Sequence, residues 1–322
     1  MTLHPKAPTT HGATNDEPLA DLRVLVSGAS GFLGLPLCQR LIERGARVHA
    51  VSRATGRAGS DRLRWWQSNL EDIGTVRTLL GEVKPDVIFH LGGLVNGAPD
   101  PALVLPTFHS LLTSTVNLLD VATELGCRRV VLVGSLEEAQ GDAEAVPTSP
   151  YGAAKWAASA YGRMYHHLCR TPVVIIRTFM TYGPGQPEWK VIPYAILSLL
   201  ADRVPEISSG ERRLDWVYVD DVVEGFLRAG SVPDVEGKTV ELGSGRTVAI
   251  REIVTRVATL VGSHAMPAFG ARPDRPAQDA RVADTAQAFA TMGWRPSIGL
   301  EDGLDRTVEW YRCRFEERRM RA

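Results

Sequence analysis

The run from Leu22 to Gly28, LRVLVSG, followed directly by Ala29-Ser30-Gly31-Phe32-Leu33-Gly34, constrains the fold more than any other stretch of the chain. An apolar segment of strand length enters a G-x-x-G-x-x-G, and the helical pattern FLGLPLCQRLIERG begins inside it. Glycines there permit a tight strand-to-helix turn and close approach of a pyrophosphate, whose charge the free N–H groups and dipole of the helix N-terminus favour. The junction predicts a dinucleotide-binding loop built on Gly28, Gly31 and Gly34, with Ser30, Phe32 and Leu33 beside the cofactor.

The alternation continues through ARVHAVSR, an amphipathic segment around 72–81, KPDVIFHLGG, a helix near 107–125, RRVVLVGS, a helix near 151–169 and TPVVIIRTF. Short buried runs separated by helix-length segments predict a parallel sheet covered by helices. The fold expected is a doubly wound α/β (Rossmann) domain over residues 21–180. Beyond 180 the pattern breaks into TYGPGQPEW, VPEISSGERR and FGARPDRPAQD, with helices near 191–202, 220–230, 249–262 and 300–317. Residues 181–322 are therefore expected to form mainly a smaller, irregular substrate-binding lobe, with later segments free to return to the first domain.

The chain has 322 residues, 44% of them hydrophobic, and a formal net charge of −1, which suits one large core or a core plus a smaller lobe. There is no basic excess and Lys and Arg are dispersed, so a nucleic-acid partner is not expected. Cys38, Cys127, Cys169 and Cys313 are far apart, with no C-x-x-C pair and no His cluster, which predicts reduced structural thiols and no metal site. Residues 1–20 are polar, rich in Pro, Thr and Ala, and lack the apolar segment of a signal peptide; a disordered tail on a cytoplasmic protein is expected. No run of about 20 apolar residues is evident, so no membrane partner is expected.

The second strand bears on the dinucleotide. An acid about 20 residues past the glycine loop would accept bonds from the ribose hydroxyls of NAD. Here VHAVSR ends in Ser52-Arg53, with Arg57 following, and a guanidinium stands where the acid would be. It can grip a 2′-phosphate, so NADP(H) is favoured, NAD remaining possible. The competing reading is a solvent-facing charge.

SPYGAAK places Tyr151 and Lys155 one helical turn apart on one face. A tyrosine beside an ammonium and an oxidised nicotinamide can exchange a proton with a hydroxyl or ketone while hydride moves to or from the cofactor. Alone, that spacing is common on exposed helices. Ser135, at the end of RRVVLVGS and so at the carboxyl edge of the sheet, strengthens it, because its hydroxyl can bond the same substrate oxygen.

These motifs resemble the extended short-chain dehydrogenase/reductase family of nucleotide-sugar epimerases, dehydratases and reductases. The resemblance runs through SGASGFLG, HLGG at 90–93, VGS at 133–135, SPYGAAK, TYGPGQ at 181–186, DWVYVDDVVEG at 215–225 and VADTAQAFATMGWRPSIGLEDGLDRTVEWYR at 282–312. It implies that Ser135, Tyr151 and Lys155 form a catalytic set and that Lys155 also bonds the nicotinamide ribose. It further implies Asn69 and Leu70 beside the adenine, and His90, Leu91, Gly92 and Gly93 along the cofactor's path. Arg177 matches a position that supports the substrate side. A nucleotide sugar is the implied partner, and the helices near 107–125 and 151–169 are the implied homodimer interface.

Several positions depart from the family. Met180 stands where an Asn often bonds the nucleotide sugar, and Leu214 where many relatives have Arg before the Asp of the DWVYV segment. Arg212 or Arg213 is then expected to take over phosphate binding; of Arg272 and Arg275, spacing favours Arg275. Ser135-Leu136-Glu137 keeps the step from catalytic residue to Glu found in sugar 4,6-dehydratases, and Glu137 beside a transient ketone could remove a proton. Yet Leu136 replaces the usual Asp or Ser, and Glu138 makes an accidental match easier. Arg53 tilts the reading toward NADPH-dependent reduction of a nucleoside-diphosphate 4-keto-6-deoxy sugar, with the proton from Tyr151. A 4-epimerase or 4,6-dehydratase with retained NAD is the alternative. A non-catalytic dinucleotide sensor is less favoured, because Ser, Tyr and Lys are all present.

Overall fold

The computed structural model describes residues 19–54, 56–139, 145–274 and 280–321. Most of the expected N-terminal tail lies outside them, as does Arg275. Leu19 is buried in the core, so residues 19 and 20 belong to the folded unit rather than to a tail.

The elements follow in the order β1 (Arg23–Ser27), α1 (Gly34–Glu43), β2 (Arg47–Ser52), β3 (Leu63–Gln67), α2 (Ile73–Val83) and β4 (Val87–His90). A composite helix follows: a 3₁₀ turn (Pro101–Leu103), α3 (Val104–Thr107), a π-helical turn (Phe108–Thr113) and α4 (Ser114–Leu125). Then come β5 (Arg129–Ser135), α5 (Pro150–Cys169), β6 (Val173–Thr178), β7 (Met180–Tyr182), α6 (Val191–Leu200), β8 (Glu206–Ile207), β9 (Arg213–Tyr218) and α7 (Val219–Ser231). The chain finishes with β10 (Thr239–Leu242), β11 (Thr247–Ala249), α8 (Ile250–Val261), β12 (Ala268–Phe269), α9 (Thr285–Met292) and α10 (Leu300–Arg321).

Seven strands make one sheet in the order β10-β6-β5-β4-β1-β2-β3, parallel throughout. The strand order reverses beside β1, so the crevice at the carboxyl ends of β1 and β4 is the place where a ligand enters such a sheet. The central strands are buried on both faces, as their continuous apolar runs require. One core packs α1, α6 and α7 against the sheet, and a second lies under α2 and α4. β10 and α7 return to the large sheet, while β7, β9 and β11 form a small mixed sheet and β8 and β12 a two-stranded one. Irregular backbone after residue 180 thus builds the far wall of the crevice.

Two elements differ from expectation. β3 was not legible: it is the edge strand, partly exposed, and LRWWQ lacks a continuous apolar run. The helix expected at 107–125 begins at Pro101, and its 25 residues are long and apolar enough by length and composition to cross a membrane, contrary to the sequence reading. In the fold, Leu118, Leu119, Val121 and Ala122 pack into the second core, so part of that apolarity is spent against the sheet.

Candidate active site

A cleft of about 1220 Å³ opens beyond the carboxyl ends of the strands. Its walls include Gly28, Ser52, Ser68, Leu91, Ser135 and Thr178, which end or follow β1 to β6, and Met180, Trp189, Tyr194, Ser208 and Arg212 among others from the later segments.

The glycine loop fits a dinucleotide cradle. Gly28 has φ +66°, and a Cβ there would lie 2.8 Å from the Gly92 nitrogen; at Gly34 a Cβ would lie 2.2 Å from the Gly28 carbonyl. A side chain would force the loop away from Leu91-Gly92 at Gly28, and away from its own Gly28-Ala29 backbone at Gly34. Ser30, Gly31, Phe32, Leu33, Gly92 and Gly93 line the same part of the cleft. Behind them His90 is buried, with Nδ1 2.7 Å from Ser27 Oγ and Nε2 3.1 Å from Thr115 Oγ1. Gly92 N donates to Ser27 Oγ at 3.0 Å, and Thr115 Oγ1 donates to the Leu111 carbonyl. These partners assign the imidazole proton to Nε2. Burial, aided by the Lys155 charge, pulls the His90 pKa down to about 3, so the ring is neutral and joins Ser27 of β1 to Thr115 of α4 as a structural strut rather than a proton carrier.

At the adenosine end, Ser52 Oγ lies 3.3 Å from Ser30 Oγ and accepts the Ala54 N–H at 3.1 Å. Arg53 is exposed on the cleft wall, whereas Arg57 stacks over Trp65 with its Cζ 4.8 Å from the ring centroid. Asn69 and Leu70 line this end, Asn69 Oδ1 accepting the Glu71 N–H.

The chemical centre is set by β5 and α5. Ser149 caps α5, its Oγ accepting from Gly152 N at 3.0 Å, and Pro150 occupies the first turn, where no N–H is missed. Tyr151 and Lys155 then share the buried face. Ser135 and Tyr151 share the cleft wall, and Lys155 Nζ donates to the Val133 carbonyl at 2.6 Å. Burial pushes the phenol well above its usual range, opposed by the neighbouring Ser135 hydroxyl and reinforced by Glu137 and Glu138. Burial also lowers Lys155 to about 8, Glu138 opposing. Tyr151 is therefore protonated here, and the ammonium expected to favour its phenolate is bonded to a carbonyl instead. Glu137 lines the cleft, its Oε2 accepting from Ser149 Oγ at 3.1 Å and its backbone N–H donating to Ser135 Oγ at 3.2 Å.

In the substrate half, Arg213 has partners of its own. Arg213 touches the cleft, but its guanidinium donates to Glu252 Oε1 at 3.1 Å and to the Thr247 carbonyl and hydroxyl. The β9–β11 pairing and the start of α8 hold it there, which spacing along the chain does not reveal. Arg272 lines the cleft while bonded to the Tyr194 hydroxyl at 3.0 Å, and Arg212 and Met180 also line it. Trp189, exposed on the rim, and Tyr194 are cleft residues that the sequence reading missed; aromatic rings after the Pro- and Gly-rich TYGPGQPEW were the available signal.

The model of the NAD dependent epimerase/dehydratase family matches residues 24–243. The chain belongs to that family. The UDP-glucose 4-epimerase of Mycolicibacterium smegmatis is 34% identical over 315 residues, covering 90% of this chain and 99% of that one. The dTDP-glucose 4,6-dehydratase of Haemophilus influenzae is 26% identical over 341 residues, covering 90% and 98%. Among solved structures, MoeE5 in complex with UDP-glucose and NAD superposes with a TM-score of 0.81 at 29% identity, covering 91% of this chain and 99% of that one. Family membership makes the protein a nucleotide-sugar enzyme of the epimerase or dehydratase kind, a better match to the alternative sequence reading than to net reduction.

Proposed function

We propose that the protein is a nucleotide-sugar 4-epimerase acting on a UDP-hexose, with a nicotinamide dinucleotide retained through the cycle. The observation that carries this reading over dehydration is Leu136. Eliminating water needs a base at carbon and an acid at the departing hydroxyl; Glu137 can serve as the first, but the residue between it and Ser135 is hydrocarbon. The 34% identity to the mycobacterial epimerase supports the same choice.

A bound nicotinamide would supply removal of a hydride from the sugar carbon and its return to the opposite face of the resulting ketone. Tyr151 takes the proton of the sugar hydroxyl and later gives it back, and Ser135 bonds that oxygen in both steps. The phenol, raised by burial, becomes a competent base as positive charge gathers beside it from Lys155 and the oxidised ring. Lys155 would hold the nicotinamide ribose once the dinucleotide is bound. Gly28, Gly31 and Gly34 bind the pyrophosphate. Ser52 and Arg53 support NADP(H) as the cofactor alongside NAD, and that substitution is what favours the reductase reading.

Released by denaturation of the purified protein, the dinucleotide is identified by mass, and the enzyme is then given UDP-glucose, UDP-galactose, UDP-glucuronate and dTDP-glucose. Formation of the 4-epimer with no net change in nicotinamide absorbance is expected. A 4-keto-6-deoxy product would select the dehydratase, and net NADPH consumption on a 4-keto sugar the reductase. We also propose a homodimer: Val104, Leu105 and Phe108, with Tyr161, Met164 and Leu168 of α5, are exposed apolar side chains that a second copy would cover. Light scattering giving a monomer mass would refute that.

A further inference from the structure

We propose that Arg281 is a positioning residue that sets the catalytic turn Ser135–Glu138 from the substrate side of the cleft. The inference rests on the reading of Ser135 as a catalytic group. Arg281 NH1 donates to the carbonyls of both Leu136 and Glu138, the latter at 3.0 Å, and so grips the turn on either side of Glu137. Its NH2 lies 3.4 Å from Glu241 Oε1 on β10. Glu241 also takes Arg177 NH1 at 3.0 Å, and Arg177 NH2 pairs at 3.0 Å with Glu138 Oε2, whose side chain is wholly buried.

The remaining Glu138 oxygen points back at the chemistry. Oε1 accepts the Ser135 N–H at 2.7 Å and the Ser159 hydroxyl at 3.0 Å, tying the end of β5 to the helix that carries Tyr151 and Lys155. A Cβ on Gly134 would lie 2.4 Å from Oε1, so the carboxylate sits directly on the strand. Arg281 and Glu138 therefore hold a four-residue turn by its main chain, with Arg177 and Glu241 bonded behind them, leaving Ser135 and Glu137 on the cleft wall. Breaking such a pair leaves an uncompensated buried charge, whereas the intact set fixes geometry. Arg281 is the one member contributed from beyond residue 250, adjoining Ala280 on the cleft wall and close in sequence to Arg272, Pro273 and Asp274, which also line it.

The test uses full-length, cofactor-loaded protein with Arg281→Gln, Arg281→Lys and Arg281→Ala, the lysine retaining charge but lacking the second guanidinium nitrogen that reaches Glu241. Amide exchange of peptides covering 134–139 is followed beside thermal stability, cofactor affinity and kcat and KM. Expected for Arg281→Gln are faster exchange confined to that turn, unchanged cofactor affinity, and a kcat lower by about tenfold to a hundredfold with KM within about threefold. Arg281→Lys falls between, and millimolar guanidinium restores activity to Arg281→Ala. Exchange at 134–139 equal to wild type in a folded variant overturns the proposal, as does a loosened turn with unchanged kcat, or a kcat loss that merely follows lost cofactor binding. If wild type turns over no nucleotide sugar, the function proposed above fails, and exchange still decides the clamp.

Discussion

Lys155 offers a sharp test of the electrostatics, because its ammonium is expensive where it stands. Burial brings its pKa from the ordinary 10.5 to about 8, which corresponds to about 3 kcal/mol between folded and unfolded states. The folded pKa lies below the unfolded one, so between pH 8 and 10.5 the unfolded chain binds more protons and stability rises with pH. Below pH 8 the whole penalty is present; above 10.5 it is gone. Lys155→Met removes it, at the loss of the bond from Nζ to the Val133 carbonyl, a charge-assisted bond of about 1.5–3 kcal/mol. The dinucleotide-free variant is therefore expected to be as stable as wild type or up to about 2 kcal/mol more stable at pH 7, though inactive. Urea melts of both proteins at a series of pH values give the difference, in which titrations common to the two, such as those of Cys38 and Tyr182, cancel. From pH 8 to 10.5 wild type should gain on the variant by about 3 kcal/mol. A flat difference across that window, or a variant well below wild type at pH 7, would refute the account of a buried, costly ammonium.

Other outcomes follow from the same geometry. Tyr151→Phe should lower turnover by about 10²- to 10⁴-fold while cofactor titration shows affinity within a few-fold of wild type; retention of full turnover would remove Tyr151 from proton transfer. Gly34→Ala places a methyl 2.2 Å from the Gly28 carbonyl, and dinucleotide affinity by isothermal titration should fall by at least about tenfold. Asp221, buried, accepts from Ser297 N at 3.0 Å, Ser297 Oγ at 2.7 Å and Ile298 N at 3.0 Å, and so anchors the chain before α10. Asp221→Ala should cost about 3 kcal/mol in denaturant melts with little change in KM for sugar in the protein that remains folded; a loss under about 1 kcal/mol would show those donors satisfied elsewhere.

What could be read from the chain was written in short intervals. The apolar runs alternating with helix-length segments named the parallel sheet, because a strand covered on both faces has no polar side to show. The glycine spacing named the loop, since the close approaches at Gly28 and Gly34 leave no room for a side chain. Tyr151 and Lys155 shared a face because one helical turn separates them. Edge strand β3 was missed for the converse reason: half-exposed, it carries no buried run.

Glu138 looked like a chance neighbour of Glu137, and the bonds of Arg213 were not legible, because their partners, Arg177, Ser159, Glu252 and Thr247, lie 21 to 39 residues away. Arg281 reaches Leu136 across 145 positions. The sequence by itself determined the layered fold, the glycine cradle and the order of Ser135, Tyr151 and Lys155, all of which follow from local sterics and periodicity. Only the tertiary structure decided which charges face the cleft and which are neutralised behind it: ion pairs form between residues that the fold, and not the spacing of the chain, brings within about 3 Å.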